Sequence, residues 1–188
     1  MYEDTGLFKC PISSVRALFI SIIMLILLIY LYNHPTHSQQ GSEMQIFTSH
    51  WRAQIDEERY ARIGISRGVP RWQSGFRRYG KLNPGSWYKS ITDEREWAGR
   101  YQREILSPLD PATVVEELQA LSDGRDAVLL CWEGSSPGED WCHRGLVSAW
   151  MGDTLGIEVC ELESEQEGSG WHHPKLPPSL RQLRRGSK

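Results

Sequence analysis

The stretch AVLLCWEGSSPGEDWCHRGLVSAWMGDTLG, residues 127–156, decides the fold of this chain. Its first five residues, Ala127–Cys131, form a continuous apolar run, which is typical of a strand buried on both faces of a sheet. From Cys142 to Leu155 apolar residues recur at helical spacing, and Gly156 stands where a helix would end. A buried strand followed by a returning helix indicates an α/β unit.

Helix and strand signals continue on both sides of this stretch. Short β-like segments predict further strands at Met44–Ser49, at Ala61–Ser66 and over residues 157–162. Residues 67–90 contain many Gly and Pro residues and are expected to form loops.

Two more helices are predicted before the buried strand. One begins at Asp93, because Trp97, Tyr101 and Ile105 recur every four residues. The second follows Asp110, a capping residue, and has Pro111 at its first position. Gly124 lies just beyond its end. Its apolar face consists of Val114, Leu118 and Leu121. Together these elements predict an α/β fold over residues 44–162. We expect a compact three-layer sandwich with a largely parallel sheet, preceded by one hydrophobic N-terminal segment.

The ends of the chain differ in composition from this domain. Residues 17–32 are uncharged and nearly all apolar, and as a helix they would span roughly 24 Å, a little short of the ~30 Å hydrocarbon core of a membrane. This fits a short transmembrane anchor or the core of a signal peptide, but the residues that follow contain no clear cleavage site. We therefore predict a short N-terminal flank at 1–16, a transmembrane anchor at 17–32 and a polar linker at 33–43. Residues 163–188 are polar and rich in Gly and Pro, which predicts a disordered tail.

Two observations bear on localisation. The basic residues Lys9 and Arg16 before the apolar run, against Arg52 after it, favour a domain outside the cytoplasm. The odd number of cysteines in the domain favours reduced thiols and a cytoplasmic domain, and we give this observation more weight. The prediction is a single-pass membrane protein with a cytoplasmic domain. If translation starts at Met44, the protein is soluble and cytoplasmic.

Cys142, His143 and Arg144 stand at the start of the helix that follows the buried strand. The first turn of a helix has free N–H groups and the positive end of the helix dipole, which together bind anions and lower the pKa of a thiol. Glu133, at the end of the strand, is a candidate acid or base. The sequence thus predicts a site with Cys142, His143 and Glu133 as catalytic residues and Arg144 as a ligand-binding residue.

The second predicted strand would supply further ligand-binding residues. In a parallel sheet its carboxyl end lies at the same edge as Cys131, which places Ser66, Arg67 and Arg71 near the helix start. A small phosphorylated or carboxylated ligand is the partner that these groups would bind.

The alternative is that these residues are structural, since a cysteine at a helix start is often a small buried hydrophobic group. Cys131, at the end of an apolar strand, is expected to be structural. A zinc site from Cys131, Cys142 and His143 lacks a Cys-x-x-Cys spacing and an evident fourth ligand. His172 and His173 could complete one but lie in the predicted tail. We therefore predict no metal and no cofactor.

The segments LLCWE and WCHRGLVSAW, with RIGISRGVPRW and YGKLNPGSWY before them, resemble the family of domains of unknown function numbered 488. The resemblance covers about residues 44–162, and its most specific part is Leu129, Leu130, Cys131 and Glu133 together with Cys142, His143 and Arg144. It implies a compact α/β domain with a site at Cys-His-Arg and no established reaction.

A second function is suggested by the charge distribution. The net charge of −3 hides a segment, Arg59–Lys81, with seven basic residues and no acidic one, interleaved with Tyr60, Trp72, Phe76 and Tyr79. Basic and aromatic side chains in this arrangement are typical of surfaces that bind nucleic acids. The segment could equally be a solvated loop that pairs with the five glutamates between Glu158 and Glu167. The sequence favours the anion or thiol site, with a nucleic-acid-binding module as the alternative, and does not indicate an oligomeric state.

Overall fold

The computed structural model describes residues 44–134, 141–162 and 168–185. The chain divides into two units between Glu43 and Met44, and every described residue belongs to the second unit. The predicted flank, anchor and linker over residues 1–43 lie outside the described residues. Among the described helices, none combines the length and the apolar character needed to cross a membrane.

The core of the domain is a five-stranded sheet in which every pair of neighbouring strands is parallel. The strands are β1 (Ile46–His50), β2 (Tyr60–Gly64), β3 (Arg77–Arg78), β4 (Asp126–Cys131) and β5 (Cys160–Glu161). Their spatial order is β3-β2-β4-β1-β5, so β4 lies at the centre although it is fourth in the chain. The sheet confirms the predicted α/β class, and all its strand pairs are parallel.

Strand β4 occupies the centre because its side chains are apolar on both faces. Ala127 and Leu129 belong to one buried apolar cluster. Val128 and Leu130, which alternate with them along the strand, belong to a second cluster with Trp51. All four residues are at most 1 % exposed. The apolar run therefore has the two-sided burial that its sequence predicts.

The helices are α1 (Glu94–Tyr101), α2 (Pro111–Ser122), α3 (His143–Leu155) and α4 (Pro178–Arg185), and α1 continues as a π-helical turn over Gln102–Leu106. The predicted cap of α2 is present, since Asp110 accepts a hydrogen bond from the amide of Thr113. Asp93, where the first helix was expected to begin, also caps α1 by accepting a hydrogen bond from the amide of Glu96. Helix α3 ends at Gly156, whose positive φ of 69° gives the left-handed conformation of a helix C-terminus.

The two faces of the sheet are covered by different kinds of structure. The buried residues of α1, α2 and α3 pack on the face of Ala127 and Leu129. On the opposite face, the described residues that cover Val128 and Leu130 come from strands and loops, among them Trp51, Ile55, Val69 and Phe76. Within the described part of the chain, the layer on this face is therefore built from strands and loop segments rather than from helices.

Residues 67–90 contain more regular structure than their composition predicts. They include strand β3 and two 3-10 turns, Gly80–Leu82 and Ser86–Lys89. Strand β3 pairs with β2 over only two residues, Ile63 with Arg77 and Gly64 with Arg78. A two-residue edge strand has no apolar alternation, which is why the sequence pattern missed it.

The predicted disorder of the C-terminal tail is wrong for residues 168–185. This segment forms a 3-10 turn, Gly170–His172, and helix α4, and it buries His173, Lys175 and Leu176. The amide of Cys142 donates a hydrogen bond to the carbonyl oxygen of Lys175 at 2.9 Å. The segment is therefore part of the domain and packs against the start of α3. Residues 163–167 and 186–188 lie outside the described residues.

Candidate active site

A cleft of about 270 Å³ lies at the carboxyl edge of β2 and β4. Its reactive groups are Cys131, Glu133, Cys142 and His143, which we call the cleft cluster. Ser66 and Arg67, from the chain after β2, line the same cleft. Much of the remaining wall is aromatic, with Tyr88, Trp97, Trp132 and Trp141. The sheet edge thus brings the predicted catalytic residues together with two of the predicted ligand-binding residues.

Within the cleft cluster, the two thiols share both of their polar partners. The Sγ atoms of Cys131 and Cys142 each donate a hydrogen bond to Glu133 Oε2 at 2.9 Å. His143 Nδ1 lies 3.6 Å from Cys131 Sγ and 3.5 Å from Cys142 Sγ. Cys131, expected to be a structural residue, is therefore as much a part of the site as Cys142.

The imidazole of His143 has a fixed orientation. Its Nε2 lies 3.0 Å from the carbonyl oxygen of Ile65, which can only accept a hydrogen bond. Nε2 therefore carries a proton, and in the neutral ring Nδ1 is an acceptor that faces the thiols. The chain after β2 thus sets the tautomer in which His143 can receive a proton from a cysteine.

The pKa values of the cleft cluster move in different directions. Burial opposes ionisation of Cys142, but the hydrogen bond with Cys131 and the charges of His143 and Arg144 hold its pKa well below the usual value. For Cys131, burial and the neighbouring Cys142 and Glu133 raise the pKa. Burial also raises the pKa of Glu133, whereas the Cys142 thiolate raises the pKa of His143 against the effect of burial. Cys142 is accordingly the thiol that ionises first.

Arg144 does not line the cleft. Its side chain is fully buried and forms a bidentate ion pair with Glu161: Nη2 lies 2.7 Å from Oε1, and Nε lies 2.9 Å from Oε2. Its Nη1 has no hydrogen-bond partner among the described residues. The structure therefore gives no support to Arg144 as a ligand-binding residue. It influences the site without lining it, because its buried positive charge lowers the pKa of Cys142.

A chain of hydrogen bonds completes the surroundings of this ion pair. The hydroxyl of Thr48 donates to Glu161 Oε2 at 2.7 Å and lies 2.7 Å from His173 Nε2. His173 Nδ1 accepts from the amide of Lys175 at 3.0 Å, so Nε2 carries the proton and donates to Thr48. We call Arg144, Glu161, Thr48 and His173 the buried ion-pair cluster. Burial holds the pKa of His173 at about 4, so the imidazole is neutral.

The residues after β2 do not all reach the cleft as predicted. The hydroxyl of Ser66 accepts a hydrogen bond from Trp51 Nε1 and donates one to the carbonyl oxygen of Gly68. These two hydrogen bonds hold the hydroxyl within the turn that follows β2. Arg67 is exposed, lines the cleft and donates to the carbonyl oxygen of Pro84. Arg71 is exposed and does not line the cleft. Arg67 is thus the predicted arginine that the structure places at the cleft.

The cleft cluster also contains a candidate set of metal ligands. Cys131 Sγ, Cys142 Sγ and one ring nitrogen of His143 all lie within 4.8 Å of one another. The sequence argument against such a site relied on the spacing and on the lack of a fourth ligand. The spacing is no obstacle, because residues 131 and 142 meet where a strand end and a helix start share one edge. His172 is exposed and His173 contacts Thr48, so neither completes the set in the way the sequence suggested.

Several residues around the site were not found from the sequence. Trp97 and Trp141 line the cleft and contact each other edge to face, with ring centroids 5.1 Å apart. Thr48 and Glu161 come from β1 and β5, and His173 comes from the segment expected to be disordered. The apolar Leu176 among prolines was the available signal that this segment packs against the domain.

The basic segment Arg59–Lys81 pairs with nearby acids rather than with the described glutamates after residue 157. Its ion pairs join Arg62 to Glu57, Arg59 to Asp126 and Lys81 to Glu117. The suggested pairing with Glu158 and Glu161 is not among the ion pairs of the described residues; Glu161 pairs with Arg144 instead. Arg71, Arg77 and Arg78 are exposed, and so is Trp72, a residue that is 65 % exposed.

Comparisons with known proteins leave the resemblance to the domains of unknown function numbered 488 as a prediction. No family model matches the chain, and neither the curated proteins nor the solved structures include a match to it.

Proposed function

We propose that this domain binds a small carboxylated or phosphorylated ligand in the cleft and acts on it through the thiol of Cys142. One observation carries the proposal: Cys142 Sγ and His143 Nδ1 lie 3.5 Å apart in the wall of a cleft, and the imidazole is anchored by its other nitrogen. A thiol beside an oriented imidazole is the arrangement that nucleophilic cysteines require.

The chemistry follows from the roles of these two side chains. His143 Nδ1 takes the proton of Cys142, and the thiolate attacks an electrophilic atom of the ligand. The bond from Sγ to that atom forms as the bond to the leaving group breaks, and the leaving group receives the proton from His143. Water then hydrolyses the covalent intermediate and regenerates the thiol.

Arg67 gives the cleft its preference for anions. It is the arginine among the lining residues, and its guanidinium also lies 6.0 Å from the ring centroid of Tyr88. A guanidinium at the rim can pair with two oxygens of a carboxylate or phosphate. Trp97 and Trp141 would contact the apolar part of such a ligand.

Two alkylating reagents that differ in charge test this proposal. In reduced full-length protein treated with a chelator, iodoacetate and iodoacetamide should both modify Cys142 faster than Cys160, as followed by peptide mass spectrometry. Arg67→Ala should lower the iodoacetate rate relative to the iodoacetamide rate, because the cation that attracts the anionic reagent is gone. His143→Gln should lower both rates, because the base is lost.

Arg78→Ala is the matched control, since Arg78 is exposed and lies outside the cleft lining. It should leave the ratio of the two rates unchanged. An equal effect of Arg67→Ala and Arg78→Ala would refute the anion preference, and faster labelling of Cys160 than of Cys142 would refute the nucleophile.

A nucleic-acid surface is the second candidate function, favoured by the exposure of Trp72, Arg71, Arg77 and Arg78 within one basic segment. An exposed indole beside arginines can stack on a base while the cations contact phosphates. If this surface binds, a single-stranded oligonucleotide should bind with an affinity that falls steeply with salt, and Arg77→Ala with Arg78→Ala should weaken it. Binding that is insensitive to salt and to these substitutions would reject this candidate.

A further inference from the structure

We infer that the cleft cluster is a binding site for a single zinc-like transition-metal ion, with Cys131, Cys142 and His143 as its ligands. The inference goes beyond the proposed function and does not depend on it, because coordination requires only the positions of three donor atoms. The metal-bound state excludes the proposed reaction, since the ion would occupy the Cys142 thiolate and the His143 nitrogen that this reaction uses, and the alkylation test is therefore made on metal-free protein. The inference assigns to Cys131 a role in the chemistry of the site that the nucleophile proposal does not give it.

The distances between the donor atoms match a tetrahedral zinc site. Bond lengths of about 2.3 Å for Zn–S and about 2.0–2.1 Å for Zn–N place sulfur and nitrogen ligands roughly 3.5 Å apart. In this structure His143 Nδ1 lies 3.5 Å from Cys142 Sγ and 3.6 Å from Cys131 Sγ. Both sulfur–nitrogen separations therefore match such a site, and all three donor atoms lie within 4.8 Å of one another.

The surroundings of His143 are those of a metal ligand. A metal-bound histidine usually donates its second ring N–H to a carboxylate or backbone carbonyl, which fixes the ring. His143 does so through Nε2, 3.0 Å from the carbonyl oxygen of Ile65, and this leaves Nδ1 directed at the two thiols. The tautomer required for coordination is therefore present without any rearrangement.

Charge balance favours a divalent ion at this position. Cys131 and Cys142 are at most 3 % exposed, so two thiolates alone would bring two negative charges into the protein interior. Two thiolates, a neutral imidazole and a divalent cation sum to zero. Two thiolates and an imidazole are also the soft and intermediate donors that zinc prefers over carboxylate-seeking ions such as magnesium.

The site would keep its fourth position for a ligand. Three protein ligands with an open position are typical of catalytic zinc, whereas structural zinc has four. All three donors and Glu133 line the cleft, and Glu133 Oε2 lies 2.9 Å from both sulfurs. If a metal ion replaced the thiol protons, Glu133 would lose the two hydrogen bonds that it now accepts, and its carboxylate would be available as a general base beside the metal ligands.

Cobalt substitution tests the inference. Co²⁺ added to reduced, chelator-treated full-length protein with Cys10→Ser should bind one per chain, giving the strong visible bands of tetrahedral cobalt and a thiolate-to-cobalt charge-transfer band. Zn²⁺ should abolish both bands, since it binds such sites more tightly. Cys131→Ser and His143→Gln should each weaken Co²⁺ binding by more than the roughly 10–100-fold that loss of an outer-shell partner costs.

Cys160→Ser is the control and should leave the bands unchanged. The inference is overturned if Co²⁺ gives only the weak spectrum of the hydrated ion, or if the bands survive in Cys131→Ser. A variant that fails to fold, as judged by thermal unfolding, is replaced by a measurement on unaltered protein. Zn²⁺ should then protect Cys131 and Cys142 from iodoacetamide, and a chelator should restore labelling; labelling unaffected by Zn²⁺ would overturn the inference.

The outcomes for the metal and for the nucleophile are separable. If cobalt does not bind but Arg67→Ala lowers the relative rate of iodoacetate, the metal site is wrong and the proposed function stands. If cobalt binds as expected and Arg67→Ala has no effect, the proposed anion preference is wrong and the metal site stands.

Discussion

His143 and Arg144 are neighbours in the sequence, yet they belong to two clusters with opposite properties. His143 lines a cleft, where a carboxylate and two thiols face solvent-accessible space. Arg144 is fully buried, and both oxygens of Glu161 bind its guanidinium. Successive residues of a helix point about 100° apart, so the first turn of α3 directs one side chain to the cleft and the next into the interior. The comparison teaches that two adjacent polar residues can have different roles: His143 belongs to the candidate active site, and Arg144 belongs to the buried ion pair behind it.

The largest expected effect is on the buried ion pair. Glu161→Gln should lower the free energy of unfolding by about 3–5 kcal/mol, because it leaves the charge of Arg144 buried and unpaired. Denaturant titration of the full-length chain measures it. Glu133→Gln makes the same change at the half-buried carboxylate of the cleft cluster and should cost under about 1 kcal/mol. Equal losses in the two variants would show that the clusters do not differ as described.

The second prediction concerns pH. The pKa of His173 is about 4 in the folded protein and about 6.5 in the unfolded chain, so between these values the unfolded chain binds more protons. Stability should therefore fall as pH decreases from about 6.5 to about 4, by about 3 kcal/mol from this residue. Glu161, Arg144 and Arg181 surround the imidazole and contribute to its pKa.

His173→Gln should flatten the pH dependence of the free energy of unfolding over that range, as measured by denaturant titration at several pH values. His172→Gln, at an exposed position, is the control. A wild-type profile that His173→Gln does not change would assign the pH dependence to other groups.

A third prediction tests the packing of the C-terminal segment on α3. A Cβ at Gly145 would overlap the backbone of Lys175 and Leu176. Gly145→Ala should therefore lower the free energy of unfolding by about 1–3 kcal/mol. Gly152→Ala, in the same helix, would meet its nearest atoms at 3.7 and 3.8 Å and should be neutral or stabilising by up to about 1 kcal/mol. If both variants behave alike, the close approach at Gly145 is not a constraint.

The sequence predicted the fold to the extent that short-range patterns determine it. The apolar run of β4, the helix start at Asp93, the cap at Asp110 and Gly156 at the end of α3 are local signals, and the structure contains all of them. The thiol, the imidazole and Glu133 were found because residues at one strand end and one helix start must meet at the same edge of a parallel sheet.

The partners of Arg144 could not be predicted in the same way. The buried ion-pair cluster joins Thr48, Glu161 and His173, which are more than a hundred residues apart at the extremes. No local pattern links β1 with a Pro-rich segment near the C-terminus. The polar composition of that segment predicted disorder, whereas its burial depends on contacts made by Lys175 and Leu176 with α3.

Cys142 in the cleft cluster ionises readily, helped by the buried charge of Arg144. The pH dependence of Cys142 alkylation is the most direct test of this property. The protein is the reduced, metal-free full-length chain, and the rates at Cys142, Cys131 and Cys160 are measured separately with iodoacetamide. Because the pKa of Cys142 lies well below that of an ordinary thiol and the pKa of Cys131 lies above it, Cys142 should stay reactive at pH values where Cys131 is silent. Labelling of Cys142 that rises only in the pH range of an ordinary thiol, or that is slower than labelling of Cys131, would contradict the account.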